Sequence, residues 1–119
     1  MPFHSKFYQK KVQHKRFYCA VDFAFQRIGG KYKGRILWAL RDGTLRYGEL
    51  RRHIEGVTTK MLTQALKEME RDRLISRNVI ATKPLHVEYS LTPSGKLLIP
   101  FIDLMRVWGE HEINNLHSP

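Results

Sequence analysis

Six histidines and a single cysteine, Cys19, are the side chains here best suited to hold a metal or attack a substrate. They do not assemble into a site. With one cysteine there is no C-x2-C pair to complete a zinc centre. His111-Glu112 is followed one turn later by Asn115, so the two-histidine motif of zinc proteases is missing. Gly29-Gly30-Lys31 has neither the spacing nor the Ser/Thr of a phosphate-binding loop. No Ser/His/Asp set is indicated by residue order. The sequence supports no enzyme, no metal and no cofactor.

The chemistry that remains is recognition of a polyanion. Lys and Arg total 21 against 11 acidic residues, a net charge of +10. A domain this basic points to nucleic acid, with an anionic membrane surface as the competitor. No apolar run approaches the roughly 20 residues that cross a bilayer, and no membrane partner is expected. Thr59, Lys60, Thr63, Gln64 and Lys67 recur at helical spacing opposite an apolar stripe of Met61, Leu62, Ala65, Leu66 and Met69. Such a face is either plainly solvated or lies in a major groove. There, Gln64 would pair with adenine and Thr63 would touch a thymine methyl. Lys60 and Lys67 would contact phosphates. A second set, Arg77, Lys83 and His86, suits phosphates or a minor groove. Arg51 and Arg52 could reach the backbone, or one of them could pair with Glu49 or Glu55.

The elements that must position these residues follow from apolar spacing. Val21, Ala24, Phe25 and Ile28 share one helix face that stops at Gly29-Gly30. A second helix spans about Lys33 to Arg41 and closes at Asp42-Gly43. Thr44 and Leu45 suit a very short strand, and a third helix covers about Tyr47 to His53. Glu55-Gly56-Val57 is a tight turn, and Thr58 caps a helix running to about Arg73. Short helix, Gly-containing turn, and helix with a polar basic outer face make a helix-turn-helix. Leu74 to Ala81 and Val87 to Leu91 then read as strands joined by a basic loop containing Lys83 and His86, a wing. Thr92-Pro93 starts a final helix to about Leu116, apolar nearly all round, which Pro100 should bend or interrupt. The expected fold is α+β: a three-helix winged helix-turn-helix core with a β-hairpin wing, flanked by N- and C-terminal dimerisation helices.

Residues 1–18 form a basic arm with interleaved aromatics, and residues 19–119 the folded domain. The arm could enter a minor groove, pack on a partner subunit, or be a plain basic tail. Phe25, Phe101, Leu104, Met105 and Trp108 are expected at a dimer interface, because so apolar a terminal helix cannot be hidden within a domain this small. Cys19 precedes the first helix, near Lys15 and Arg16. Cationic neighbours and a helix N-terminus favour a thiolate, so Cys19 is a candidate sensor of oxidants or electrophiles. An unreactive cysteine is otherwise a small apolar residue. One cysteine and no apolar leader segment fit a cytoplasmic protein.

Several stretches in order, Cys19 with Val21-Asp22-Phe23-Ala24, Ile28-Gly29-Gly30-Lys31-Tyr32-Lys33, Ile36-Leu37-Trp38-Ala39-Leu40, Arg46-Tyr47-Gly48-Glu49-Leu50, Thr59-Lys60-Met61-Leu62-Thr63-Gln64 and Val87-Glu88-Tyr89-Ser90-Leu91-Thr92, resemble the HxlR-type regulators, winged helix proteins related to the MarR group. The resemblance implies a homodimer built from the first and last helices. It implies a two-half-site palindromic operator of double-stranded DNA and control of an adjacent gene. It also implies a small-molecule or oxidant effector, with Cys19 where some members carry a sensing cysteine. Ala20 stands where a proline commonly follows that cysteine, and Tyr32 replaces a tryptophan. Two other readings suit the charge: a basic winged helix that binds RNA or the ribosome, and a dimeric protein-interaction scaffold. The first calls for exposed aromatics to stack bases, and only the arm supplies them. The second does not need Lys60, Lys67 and Lys83 on one side.

Overall fold

The computed structural model describes residues 19–118. The basic arm, with Lys15 and Arg16, therefore lies outside the described residues. The chain divides into two units, Met1–Gly30 and Lys31–Pro119.

The first unit carries helix α1 (Ala20–Ile28). Cys19 is its N-cap, and the Sγ atom accepts the Asp22 backbone N–H at 3.3 Å. Asp22 in the first turn and Arg27 in the last complement the helix dipole. The helix stops at Gly29, where any Cβ would strike the Phe25 carbonyl. Ile28 is buried, whereas Val21, Ala24 and Phe25 on the same face are exposed.

The second unit contains α2 (Lys33–Ala39), β1 (Leu45–Arg46), α3 (Tyr47–His53), α4 (Thr59–Arg71), β2 (Ile75–Ile80), β3 (His86–Leu91), α5 (Pro93–Leu97) and α6 (Ile99–Leu116). The strands form an antiparallel sheet in the order β1-β3-β2. Leu45 lies opposite Tyr89, and β2 pairs with β3 from Ile75–Leu91 to Ile80–His86. The core is made by Ile36 and Leu37 of α2 with Leu40 at its end, Leu50 and Ile54 around α3, and Leu62, Leu66 and Met69 of α4, closed by Ile75 and Tyr89 of the sheet. Tyr32 is buried beside them and donates its hydroxyl to the Gly56 carbonyl at 3.3 Å. That bond ties the start of α2 to the turn between α3 and α4.

The α3 helix begins where the Glu49 carboxylate accepts the Arg46 N–H at 2.9 Å. The turn to α4 uses Gly56 at φ +86°, a left-handed conformation that glycine adopts without strain. Thr58 caps α4 by accepting the Met61 N–H at 3.1 Å. The helix ends in a Schellman closure: Arg73 N–H bonds the Glu70 carbonyl and Leu74 N–H the Met69 carbonyl, with Arg73 itself at φ 61°.

The root of the hairpin is clasped. The Thr92 hydroxyl donates to the Arg73 carbonyl at 2.6 Å, and the Thr92 backbone N–H donates at 3.1 Å to the Leu74 carbonyl, which also lies 3.1 Å from the hydroxyl oxygen. Gly95 is buried against the same carbonyl so closely that a Cβ would collide with it. The β2 strand begins at Ile75 rather than at Leu74 because the Leu74 N–H is taken by the Met69 carbonyl, so of the two bonds that Leu74 and Thr92 could exchange only one forms. His86, expected in the loop, is the first residue of β3.

The expected single terminal helix is two helices. Pro100 lacks the N–H that would bond Lys96 and its ring clashes with that carbonyl, so the chain breaks at Leu98 and restarts with proline in the first turn of α6. The α6 helix rests on α2: a Cβ on Gly34 would touch Ile102, and the Trp38 ring faces the Arg41 and Arg106 guanidiniums at 4.1 and 5.6 Å. Met61 corrects the sequence reading, since it is exposed. The buried stripe of α4 is Leu62, Ala65, Leu66 and Met69, and Met61 lies about 100° around the helix from Leu62.

Candidate nucleic-acid interface

The outer face of α4 carries Thr59, Lys60, Gln64 and Lys67, all exposed, with Thr63 half-buried at its edge and Thr58 exposed at the cap. Among the described residues, Lys60 and Lys67 make no ion pair. Thr63 is held from α3: its Oγ1 lies 3.2 Å from the Tyr47 hydroxyl, which also donates to the Thr59 carbonyl at 3.3 Å. One tyrosine thus fixes the first two turns of α4 against the supporting helix.

Gln64 is held as well. Its Nε2 donates to Glu68 Oε2 at 2.5 Å, and Glu68 Oε1 pairs with Lys33 Nζ of α2 at 2.7 Å. The Lys33 ammonium, followed by the Gln64 N–H, holds the Glu68 carboxyl below its ordinary value of 4.5. Tyr47, Glu68 and Lys33 were missed as site residues by the sequence reading. The i, i+4 spacing of Gln64 and Glu68 was the available signal.

The structure brings helix and wing together around a groove of about 350 Å³, lined among others by Thr63 and Lys67 of α4, Arg77 of β2, and Tyr47. Glu70 also faces it, so the groove is not uniformly positive. Lys83 lies exposed in the loop between β2 and β3, with Leu85 beside the strand that follows. His86 does not sit at the tip. Its Nδ1 is 2.7 Å from the Pro84 carbonyl and its Nε2 is 2.8 Å from Glu88 Oε2, so both ring nitrogens are occupied within the wing. Arg51 and Arg52 are exposed on the last turn of α3. Among the described residues neither pairs with Glu49 or Glu55; the Glu49 carboxylate takes the Arg46 N–H.

Cys19 is exposed at the N-cap of α1. Phe25 on α1, and Phe101, Leu104, Met105 and Trp108 on α6, are all exposed, Leu104 and Trp108 at 69% each. Helix α6 has no buried residue over its 18 positions. Among the described residues, no group of His, Cys, Asp or Glu is placed to hold a metal, and no helix is long and apolar enough to cross a membrane.

Comparison with known proteins agrees with this arrangement. The model of the HxlR-like helix-turn-helix family matches residues 27–117. An uncharacterized HTH-type transcriptional regulator of Methanothermobacter thermautotrophicus is 45% identical over 92 residues, 77% of this chain and 70% of that protein. The redox regulator HypR in its oxidized form is 42% identical, with a TM-score of 0.74 over 78% of this chain and 96% of HypR. Its reduced form superposes with a TM-score of 0.76 at 40% identity, over 83% of this chain and 98% of that one.

Proposed function

The chain belongs to the HxlR-like helix-turn-helix family and is a transcriptional regulator with a helix-turn-helix DNA-binding fold, not an enzyme; from that premise we propose that it acts as a homodimer on a palindromic double-stranded operator in the cytoplasm. The carrying observation is the outer face of α4, where two lysines without an ion pair among the described residues flank Thr63 and Gln64, each fixed by a side-chain bond. Gln64 and Thr63 read base edges in the major groove. Lys60, Lys67, Arg77 and Lys83 contact phosphates, with Arg51 and Arg52 on the flanking backbone. Thr58 and Thr59 add contacts at the positive end of α4. His86 supports the wing through Pro84 and Glu88 rather than by direct contact.

Two subunits place a helix and a wing each, neutralising roughly 6 to 10 phosphates, so log K falls by about 0.9 per phosphate with log salt. Titrating a fluorescent duplex with the protein between 50 and 200 mM salt measures that slope. An affinity almost independent of salt overturns the proposal, and tighter binding to structured RNA favours the RNA reading. Lys83→Ala should weaken all duplex sequences alike.

The dimer forms through α6, where Leu104, Met105 and Trp108 are exposed, and through α1. The position of Cys19 at the α1 N-cap supports a second element of the proposal, response to an oxidant or electrophile. Without another cysteine in the chain, oxidation leads to a sulfenic acid, a mixed disulfide or a bond between two Cys19 thiols, the last needing α-carbons within about 7 Å. Operator binding followed during diamide titration, with Cys19→Ser as control, tests it. Identical responses of the two proteins exclude the thiol as sensor.

A further inference from the structure

A glutamine is an ambiguous reader of bases. Its amide carries a donor on one arm and an acceptor on the other, and rotation by half a turn about the last side-chain bond exchanges them. Adenine shows the major groove a donor at N6 and an acceptor at N7, whereas guanine shows acceptors only, at O6 and N7. A glutamine free to rotate can satisfy part of either pattern.

Gln64 is not free to rotate. A carboxylate only accepts hydrogen bonds, so the atom that meets Glu68 Oε2 at 2.5 Å must be the amide nitrogen. Turning the amide over would set Oε1 against a negative carboxylate. Glu68 is in turn fixed by its other oxygen, Oε1, which pairs with Lys33 Nζ at 2.7 Å. The two side chains of that pair are 13% and 28% exposed, so this bond is sheltered compared with an ordinary surface pair. Lys33 is the first residue of α2, on a different helix from Gln64 and Glu68. The anchor therefore lies in the body of the domain, not on the helix that enters DNA. One N–H of Gln64 is committed to Glu68. The second N–H and the lone pairs of Oε1 remain for a base.

We propose that Lys33 and Glu68 are positioning residues that lock the Gln64 amide in one orientation, so that the protein reads adenine and rejects guanine at one position of each half-site. The inference rests on the reading of Gln64 as a base-contacting residue and adds what makes that contact selective. Neither Lys33 nor Glu68 touches the base. Glu68 brings a negative charge close to the phosphates, which works against affinity, and it acts on selectivity alone.

The test measures relative binding to every single-base variant of an operator selected from random duplex by the intact protein. Gln64→Ala should lose discrimination at one position by roughly 5- to 150-fold, the value of a bidentate contact. Glu68→Ala should lose several-fold of the adenine-over-guanine preference at that position. Its binding to random duplex should be unchanged or tighter. The double variant should match Gln64→Ala, because Glu68 acts only through Gln64. Lys33→Met should follow Glu68→Ala, and Lys33→Arg should restore the preference. Relaxation of the Gln64 side-chain amide, observed by NMR in the free folded protein, should show greater mobility in Glu68→Ala and Lys33→Met. That readout also verifies that the variants are folded. If Glu68→Ala frees the amide and the adenine preference persists, while Gln64→Ala abolishes it, the lock is refuted and the Gln64 reading stands. If Gln64→Ala leaves every position unchanged, the base-reading role fails and the lock fails with it.

Discussion

Helices α4 and α6 both expose a broad face to solvent, and the two faces are chemically opposite. On α4 the apolar residues Leu62, Ala65, Leu66 and Met69 are buried and the cations Lys60 and Lys67 are left open. On α6 the charges are satisfied internally, with Arg106 held by Asp103 at 2.8 Å and Glu110 at 2.7 Å. It exposes apolar side chains, among them Leu104, Met105, Val107 and Trp108. An exposed polar face is stable in water and becomes useful only when an anion arrives. An exposed apolar face carries a cost at all times and is relieved by a second protein surface. The difference separates a transient contact from a standing one.

The largest effect that tests this contrast is on assembly. Trp108→Asp or Met105→Asp places a charge in the proposed dimer interface, at a cost of several kcal/mol, and sedimentation should then show monomers. The free protein's thermal unfolding by domain-core signals should report a folded chain. A wild-type protein that sediments as a well-folded monomer breaks the comparison at once.

Next in size is the division within α4 itself. Leu62→Ala removes a wholly buried side chain and should cost about 2–5 kcal/mol in urea unfolding. Met61→Ala, one residue away, should stay within about 1 kcal/mol because the side chain is exposed. Equal losses would mean that the two faces of α4 are less separate than described.

The smallest effect concerns Glu68. Its carboxyl is depressed below 4.5 in the folded protein, mainly by Lys33. A depressed acid contributes stability above its unfolded value, and that contribution is lost as pH falls through the folded value. Compared with Glu68→Gln, the wild type should be more stable at pH 7 by at most about 1 kcal/mol. The difference should vanish in acid below the ordinary range. A difference that persists unchanged at pH 3 would show that the ion pair is not its source.

Much of this was legible in the sequence. The boundaries of α3, the Thr58 cap and the glycine turn before α4 follow from local rules, and the structure has them as expected. The outer face of α4 was equally legible, since helical spacing alone separates Lys60, Gln64 and Lys67 from Leu62 and Leu66. What periodicity could not convey was contact between distant residues. Tyr47 marks the start of the third helix, and nothing local says that its hydroxyl reaches Thr63, 16 residues on. Lys33 reads as one surface cation among 21. His86 looks like loop-tip charge until its two ring nitrogens are seen to be occupied. Met61 was misjudged because an apolar residue at the margin of a stripe is buried or not according to what stands opposite it.

The clasp at Leu74 has a consequence for chain entropy. Leu74 and Thr92 are 18 residues apart, and everything between them is wing. Joining its two ends on one carbonyl closes the hairpin into a ring without a covalent bond. As with a cross-link, the closure removes conformations that the segment would otherwise have to lose in forming the proposed DNA contact. The ring can be drawn this tight only because position 95 has no side chain: any Cβ there pushes on the Leu74 carbonyl. Gly95 lies outside the wing, yet it sets how much freedom the wing has left to lose.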